Sequence, residues 1–500
     1  MGALEGLLFG LSVAVQPQNL MAALAGALAG TVIGVLPGLG PVAGVALVLP
    51  LTFAFDPTTG LIMMAGIFYG SMYGGSTTAI LMNIPGESAS VVTAIDGYKL
   101  TQKGRAGAVL AIVAVGSFVG ATLAILGVLF AAPVLASVAL LFGPAEFFAL
   151  TAGGLLVLSR ISGGSFAAAG FSCLLGVALG TVGQEAVTGH NRYTFGVLEL
   201  TEGIGLVPVV VGLYGIAEIL SLVETSLRRG ELVKVRFREL FPRRDEWARA
   251  VAPWLRGTGV GFFFGLIPGP AATLASFASY RLEQAVSRYR AEIGHGAIEG
   301  AAGPETANNA AATSALVPLL SLGLPFTPIG ALMISAMMVQ GVQPGPLLVQ
   351  QHPDIFWGLI ASLYIGNVML LVLNLPLVGV WVSLLRIPVW FFVPMLLIVA
   401  SIGAYSVHNS MLDLWVLAGA GLVGYAFNKC NIPLAPLVVG LILGPEVEKH
   451  LREGLILSQG DLLYFLEGPI APVVWGAALL VAVIGALRRR RQPEPAVLEG

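Results

Sequence analysis

Long apolar blocks separated by short polar stretches set the pattern of this chain. A helix crossing a hydrocarbon core of ~30 Å needs about 20 apolar residues. Blocks of that order fall at 19–36, 59–82, 106–130, 142–159, 166–182 and 203–223. After a polar stretch they resume at 257–280, 307–340, 354–375, 387–405, 411–427 and 468–487. Shorter apolar pieces at 41–55 and 432–443 read as half-spans or interfacial helices. No block alternates with the ten-residue pattern of a barrel strand, so the pattern predicts an all-α integral membrane protein with about 12 transmembrane helices.

Several blocks are interrupted. GVLPGLGP places Pro37, Gly38, Gly40 and Pro41 in the middle of an apolar run, and GLIPGP places Pro268 and Gly269 in another. Each break is followed by an apolar helix with small polar residues and a second interruption: YGGSTTAILMNIPGESA, then ETANNAAATSALVPLLSLGLPFTP. The positive-inside rule puts four basic segments on the cytoplasmic side. These are Lys99 to Arg105, the stretch 224–249, Arg281 to Arg290, and Arg488 to Arg491. The block 257–280 then enters and leaves on the same side, as a re-entrant hairpin. Residues 56–60 fall outside and 281–300 inside, so the two units face opposite ways. The expected architecture is two inverted repeats with re-entrant or broken Pro-Gly helices. It divides the chain into a first repeat at 1–225, a basic cytoplasmic loop at 226–256, a second repeat at 257–487 and a basic tail at 488–500.

Composition sharpens the picture. Of 500 residues, 56% are hydrophobic and 10% are charged, against roughly 25% charged in soluble domains. The mean hydropathy is +0.89. Sixty-five Gly and 30 Pro are many helix breakers for a chain in lipid, where every backbone group needs a partner. A net charge of −2 gives no field for nucleic acid. Two distant cysteines, Cys173 and Cys430, and five scattered histidines make no disulfide framework or metal-ligand spacing, and no metal site or cofactor is expected. The HExxH, Walker A and GxSxG patterns are missing. The first basic residue is Lys99, so no cleaved signal peptide is expected.

Backbone opened by a break in lipid must face protein or a wet cavity. Half-helix N-termini there hold anions without a formal cation, and exposed carbonyls suit Na⁺. The candidate substrate-binding residues are therefore Pro37, Gly38, Gly40, Gly74, Gly75, Ser76, Thr77, Asn83, Gly86, Pro268, Gly269, Asn308 and Asn309. The same small residues also suit close helix packing. Glu305 follows Pro304 inside an apolar region and either caps a helix, binds a cation or carries a proton; with Asn308 and Thr313 it forms the candidate coupling-ion set. Glu218 reads as interfacial, and Glu87 and Asp96 as site or loop residues flanking a break.

Together, GVLPGLGP, YGGSTTAILMNIPG with DGYKLTQKG, GLYGIAEIL, GLIPGP with ASY, GPETANNAAATSALVPLLSLGLP and QGVQPGPLL resemble the large permease subunit of the tripartite tricarboxylate transporter family. The order and spacing fit nearly the whole chain. The resemblance implies a secondary transporter of the bacterial inner membrane, importing carboxylates such as citrate with Na⁺ or H⁺ as coupling cation. It also implies a periplasmic solute-binding protein and a small membrane subunit as partners. Glu87 after PG, Phe326 after GLP, and Pro270-Ala271 depart from the family pattern, which bears on the substrate. The other reading is a membrane-embedded enzyme or scaffold with a polar intramembrane cleft.

Overall fold

The computed structural model describes residues 2–36, 39–161, 165–185, 189–224, 240–384, 392–468 and 470–489. The fold is helical throughout; the described residues hold one two-stranded ribbon besides. Five helices are long and apolar enough to span a membrane, Pro17–Val35, Ala106–Ala139, Leu206–Glu224, Pro353–Asn374 and Met411–Lys429, and shorter apolar helices accompany them. This is the fold of a multi-pass membrane protein.

Two compact units form the chain: 1–140 with 204–427, and 141–203 with 428–500. The first unit opens with α1 (Ala3–Ala14), α2 (Pro17–Val35) and α3 (Pro41–Thr52). It continues with α4 (Pro57–Met82), α5 (Ser90–Gln102) and α6 (Ala106–Ala139). It resumes with α9 (Leu206–Val210), a π-turn at Val211–Ile216 and α10 (Ala217–Glu224), which together make one span. Then follow α11 (Arg244–Gly265), α12 (Ala271–Val286), α13 (Ile298–Ser314), α14 (Leu316–Leu322) and α15 (Pro328–Val339). A short α16 (Leu348–Gln351) leads to α17 (Pro353–Asn374), α18 (Val378–Leu384), α19 (Phe392–His408) and α20 (Met411–Lys429).

Pro-Gly breaks separate α2 from α3 and α11 from α12, and each pair packs as a hairpin. The apolar run 307–340 is three helices. Pro318 has no N–H for the i−4 carbonyl and its ring crowds that position, so α13 ends just before it. Gly323 then stops α14 at φ 69°. Residues 244–256 of the basic stretch are the first turns of α11, while 225–239 lie outside the described residues.

Helix ends meet in two groups. At one end Gln18 of α2 donates to Asp56, the cap of α4, at 2.8 Å, and Thr58 donates to Asp354 of α17 at 2.8 Å. There too Gln340, just past α15, reaches the Thr52 carbonyl that closes α3 at 3.4 Å. At the other end Lys99 of α5 and Lys103 just past it donate to the carbonyls of Gly294 and His295, ahead of α13. Arg105, before α6, pairs with Glu246, and Arg249 with Glu299 of α13. Asp96 ties the same region: it is fully buried and accepts Gly294 N–H at 2.9 Å, Gly296 N–H at 2.7 Å, Ala297 N–H at 2.9 Å and the Tyr280 hydroxyl at 3.0 Å. Asp96 thus ties α5 to α12 and to the run ahead of α13.

The second unit holds α7 (Pro144–Ile161), α8 (Phe166–Gly180), the ribbon β1 (Gly183–Gln184) and β2 (Asn191–Arg192), α21 (Ala435–Leu457) and α22 (Ala471–Arg489). The apolar piece 432–443 is the first half of α21, whose second half is polar. Gly440 packs on Cys173 and Gly176 on Leu437, so α8 and α21 lie in backbone contact.

Candidate functional site

Four breaks of the first unit border one cavity of about 580 Å³. Its wall takes Gly40 to Ala43 from the first turn of α3, and Pro85 to Ser88 from the run into α5. It also takes Gly269 to Thr273 from the start of α12, and Thr327 to Ile329 from the start of α15. Four helix N-termini therefore converge. Local sequence explains each start: Pro at N1 of α3 and α15 fixes a helical φ where an N–H would have no partner. Thr327 caps Gly330 N–H at 3.0 Å, and Gly269 N–H donates to the Phe326 carbonyl at 3.0 Å, which joins the two breaks of that half.

A half-charge of roughly +0.5 sits at each helix start. No Lys, Arg or His lines the cavity among the described residues. Its polar wall is Glu87, Ser88, Thr273, Thr327, Tyr214 and Glu218. The last two come from the Leu206–Glu224 span. Glu218, expected at the interface, lies on the cavity wall, in the last helix of that span. Tyr214 projects from the π-turn, a local widening frequent at functional sites. Its hydroxyl is buried and has no hydrogen-bond partner among the described residues.

Behind this wall lies a buried polar network. Asn308 donates its amide to Glu87 at 2.7 Å and so links the cavity to α13. Glu305 accepts the Ser76 hydroxyl on one oxygen and the Thr93 hydroxyl on the other, the latter at 2.9 Å. Asn309 donates to Ser117 at 2.8 Å and to the Glu305 carbonyl at 3.1 Å. Thr313 pairs with the Tyr69 hydroxyl at 2.7 Å. Glu305, Asn308, Asn309 and Thr313 are all 0% exposed, and the Oδ1 atoms of both asparagines lack a partner among the described residues. Two buried carbonyl oxygens beside a carboxylate and hydroxyls are hard donors of the kind an alkali cation accepts. Beyond Glu305 a void of about 20 Å³ is bordered by Tyr73, Ser76, Thr77, Ser117 and Asn374; that is room for one water.

The expected residues thus divide. Gly40, Gly86 and Gly269 line the cavity, with Pro268 just before Gly269. Glu305, Asn308, Asn309, Ser76 and Thr313 form the network; Thr77 borders the small void. Gly74 packs on α2, where an ideal Cβ would stand 2.5 Å from the Thr31 carbonyl oxygen. Gly75 lies against Gly86. Asn83 is exposed and ends α4 in the left-handed conformation, φ 56°, away from the cavity. Pro37 and Gly38 lie outside the described residues. Asn367, on an apolar helix, joins α17 to α6 through Phe118 O and Thr122.

Sequence reading missed Tyr214, Thr93, Ser117 and Tyr69. Thr93 and Ser117 are small polar residues in apolar surroundings, which was the available signal. Tyr214 had only the GLYG dipeptides beside it.

Known proteins supply the remaining constraint. No solved structure matches this chain. From Agrobacterium vitis, the "Uncharacterized 52.8 kDa protein in TAR-I ttuC' 3'region" is 46% identical over 494 residues, covering 98% of each chain. The "Uncharacterized protein in TAR-II ttuC' 3'region" of the same organism is 46% identical over 227 residues, 45% of this chain and 94% of that one. The profile of the tripartite tricarboxylate transporter TctA family matches residues 20–439. This chain belongs to the tripartite tricarboxylate transporter TctA family, as a membrane-embedded transporter component and not an enzyme.

Proposed function

We propose that this chain is the permease subunit of a binding-protein-dependent secondary transporter that imports a carboxylate, coupled to Na⁺ or H⁺. The observation that carries the reading is the meeting of four helix N-termini on one cavity without a basic lining side chain. Oriented N–H groups and helix dipoles favour an anion there, and the volume falls in the usual small-ligand range of ~300–1,000 Å³. Glu305, Asn308 and Thr313, with the free oxygen of Asn309, are the proposed coupling-ion group. The reading includes a periplasmic solute-binding protein and a small membrane subunit as partners, and the bacterial inner membrane as location.

The proposed architecture is a pair of inverted repeats, α2 to α6 and α11 to α17. The grouping of helix ends supports it. The starts of α2, α4 and α17 share one end with the finishes of α3 and α15. The starts of α6, α11 and α13 share the other with the finish of α5. Exchange of α2 for α11, α4 for α13, α17 for α6 and α15 for α5 turns the first set into the second, the finish of α3 aside. Broken helices of two such repeats meet at the membrane midplane, where alternating access needs the site.

The test is uptake by the permease reconstituted with both partners. Asn308→Ala and Glu305→Ala should each lower cation-driven uptake by about tenfold or more, as expected for loss of a buried charge-assisted hydrogen bond. Wild-type cation-dependent uptake in both variants sinks the site assignment.

A further inference from the structure

The Glu305 carboxyl, central to the proposed coupling-ion group, does not open on the substrate cavity. It borders the separate void of about 20 Å³, and the two spaces have no lining residue in common. The polar side of this void is Ser76 and Thr77 of α4, Ser117 of α6 and Asn374, the last residue of α17. Two groups there are only half used among the described residues. Ser117 accepts the Asn309 amide at 2.8 Å, and no acceptor takes its own hydroxyl proton. Asn374 is 7% exposed and donates to the Leu370 carbonyl at 2.9 Å, while its Oδ1 has no partner. Buried polar groups are satisfied as a rule. An open hydroxyl, an open amide oxygen and a carboxylate around room for one water supply the two to four polar partners that a bound water needs. The opposite wall is apolar. Leu110, Leu240 and Val378 belong to one buried cluster, with Leu375 packed against it. Leu110 stands near the start of α6 and Leu240 just ahead of α11, so this wall faces the end where Arg105 pairs with Glu246. Ser117 lies ~10 Å deeper along α6, at 1.5 Å per residue.

Resting on the cation-coupled import reading, we infer that the void is a one-water site through which the coupling cation, and not the substrate, passes between Glu305 and the Arg105 end. Ser117 and Asn374 hold the site, and Leu240 with its apolar neighbours plugs it. As a proton, the cation leaves the Glu305 carboxyl for this water and goes on to bulk water, with Glu305 left as the carboxylate. As Na⁺, it takes the place of the water among the same oxygens. Substrate and ion then share the Asn308 to Glu87 wall but have separate doors. Exchange of substrate for substrate leaves the ion in place and needs the cavity alone. Net uptake must also release the ion through the plugged site.

That difference is measurable. Full-length permease reconstituted with both partners is offered citrate, malate and succinate under an inward gradient of protons or, in a second arm, of Na⁺. Net uptake is compared with substrate exchange at equal cation on both sides. Asn374→Leu keeps the side-chain volume and removes the open oxygen. It should lower net uptake by about tenfold or more, the scale of a lost buried hydrogen-bond partner, and spare exchange. Asn374→Ser, which returns a hydroxyl, should recover part of the uptake. Leu240→Ala should open the plug, so that cation leaks through the permease with no substrate present. A trapped pH dye reads the proton leak and radioactive sodium the Na⁺ leak, and the one that rises several-fold over wild type identifies the cation. Loss of exchange together with uptake in Asn374→Leu, or loss of neither, overturns the inference while cation-driven import stands. A Leu240→Ala permease as tight as wild type to both cations overturns it equally. Where either variant gives no folded permease, Ser117→Ala replaces the first and Leu375→Ala the second, with the same outcomes. A wild type that takes up none of the three acids under either gradient fails the import reading itself, and this inference with it.

Discussion

Gly86 lies where the break between α4 and α5 folds back on α4. An ideal Cβ there would stand 2.5 Å from Gly75 Cα and 3.0 Å from the Gly34 carbonyl oxygen. Both neighbours are backbone, so neither yields without moving α2 or α4. Gly86→Ala should cost about 1–3 kcal/mol or more, the scale of core overpacking, and lower the thermal midpoint in detergent. Gly40→Ala is its control, because that Cβ meets only the Gly86 carbonyl oxygen at an ordinary 3.5 Å. Equal midpoints for the two variants would remove the steric account. The pair shows what single residues disclose in sequence. Glu305, Asn308 and Asn309 are legible, because ionisable or amide groups inside apolar blocks need partners wherever the chain folds. Asn83 reads the same way and is different: it tolerates the left-handed backbone that ends α4. Tyr214 is illegible, since a π-turn leaves no mark on an apolar run.

Two ladders of glycine hold the helices that carry the breaks. Gly26, Gly30 and Gly34 of α2 rise four residues apart and face Gly66, Gly70 and Gly74 of α4. Gly257, Gly261 and Gly265 of α11 repeat the spacing against Gly303, Ala307 and Ala311 of α13. Apolar side chains gain nothing from leaving lipid for each other, so close backbone approach supplies the packing. The Pro-Gly breaks were legible from composition; the division of 307–340 was hidden because apolar residues run through all three helices. In the second unit polar contacts act instead. Arg192 on β2 donates to both oxygens of Glu448 on α21, at 2.9 and 3.0 Å. These bonds hold the Glu448 carboxyl below its ordinary range. A depressed carboxylate stabilises fully above the unfolded pKa of about 4.3 and loses that contribution as pH falls through the lowered native value. Exchange protection of the Gly183 and Arg192 amides, corrected for intrinsic rate, should therefore fall below about pH 4. Arg192→Gln should show the reduced protection already at neutral pH. Protection insensitive to both would leave the ribbon held by its backbone alone.

At the scale of the molecule, orientation is what the inverted-repeat proposal puts at risk. Positive-inside reasoning and the helix-end contacts agree on the grouping: Lys99, Lys103 and Arg105 stand with Arg249 and the segment ahead of α13. Agreement about grouping does not assign a side, but labelling does. Cys430 is exposed and Cys173 buried, so both are first replaced by serine. Single cysteines are then placed at the exposed Ala54, Gln102 and Ala291. Ala54 follows α3 at the end shared with the starts of α4 and α17; Gln102 and Ala291 lie at the opposite end. A membrane-impermeant maleimide added to intact spheroplasts should modify Ala54→Cys and spare the other two. Permeabilised membranes should expose all three. The equivalent loops of the two repeats are those at 53–56 and 287–297, so Ala54→Cys and Ala291→Cys must label from opposite faces. Labelling of both from one face would mean that α4 and α13 enter from the same side. Broken helices of parallel units would not then meet tip to tip, and the cavity would lose its place as the shared substrate site.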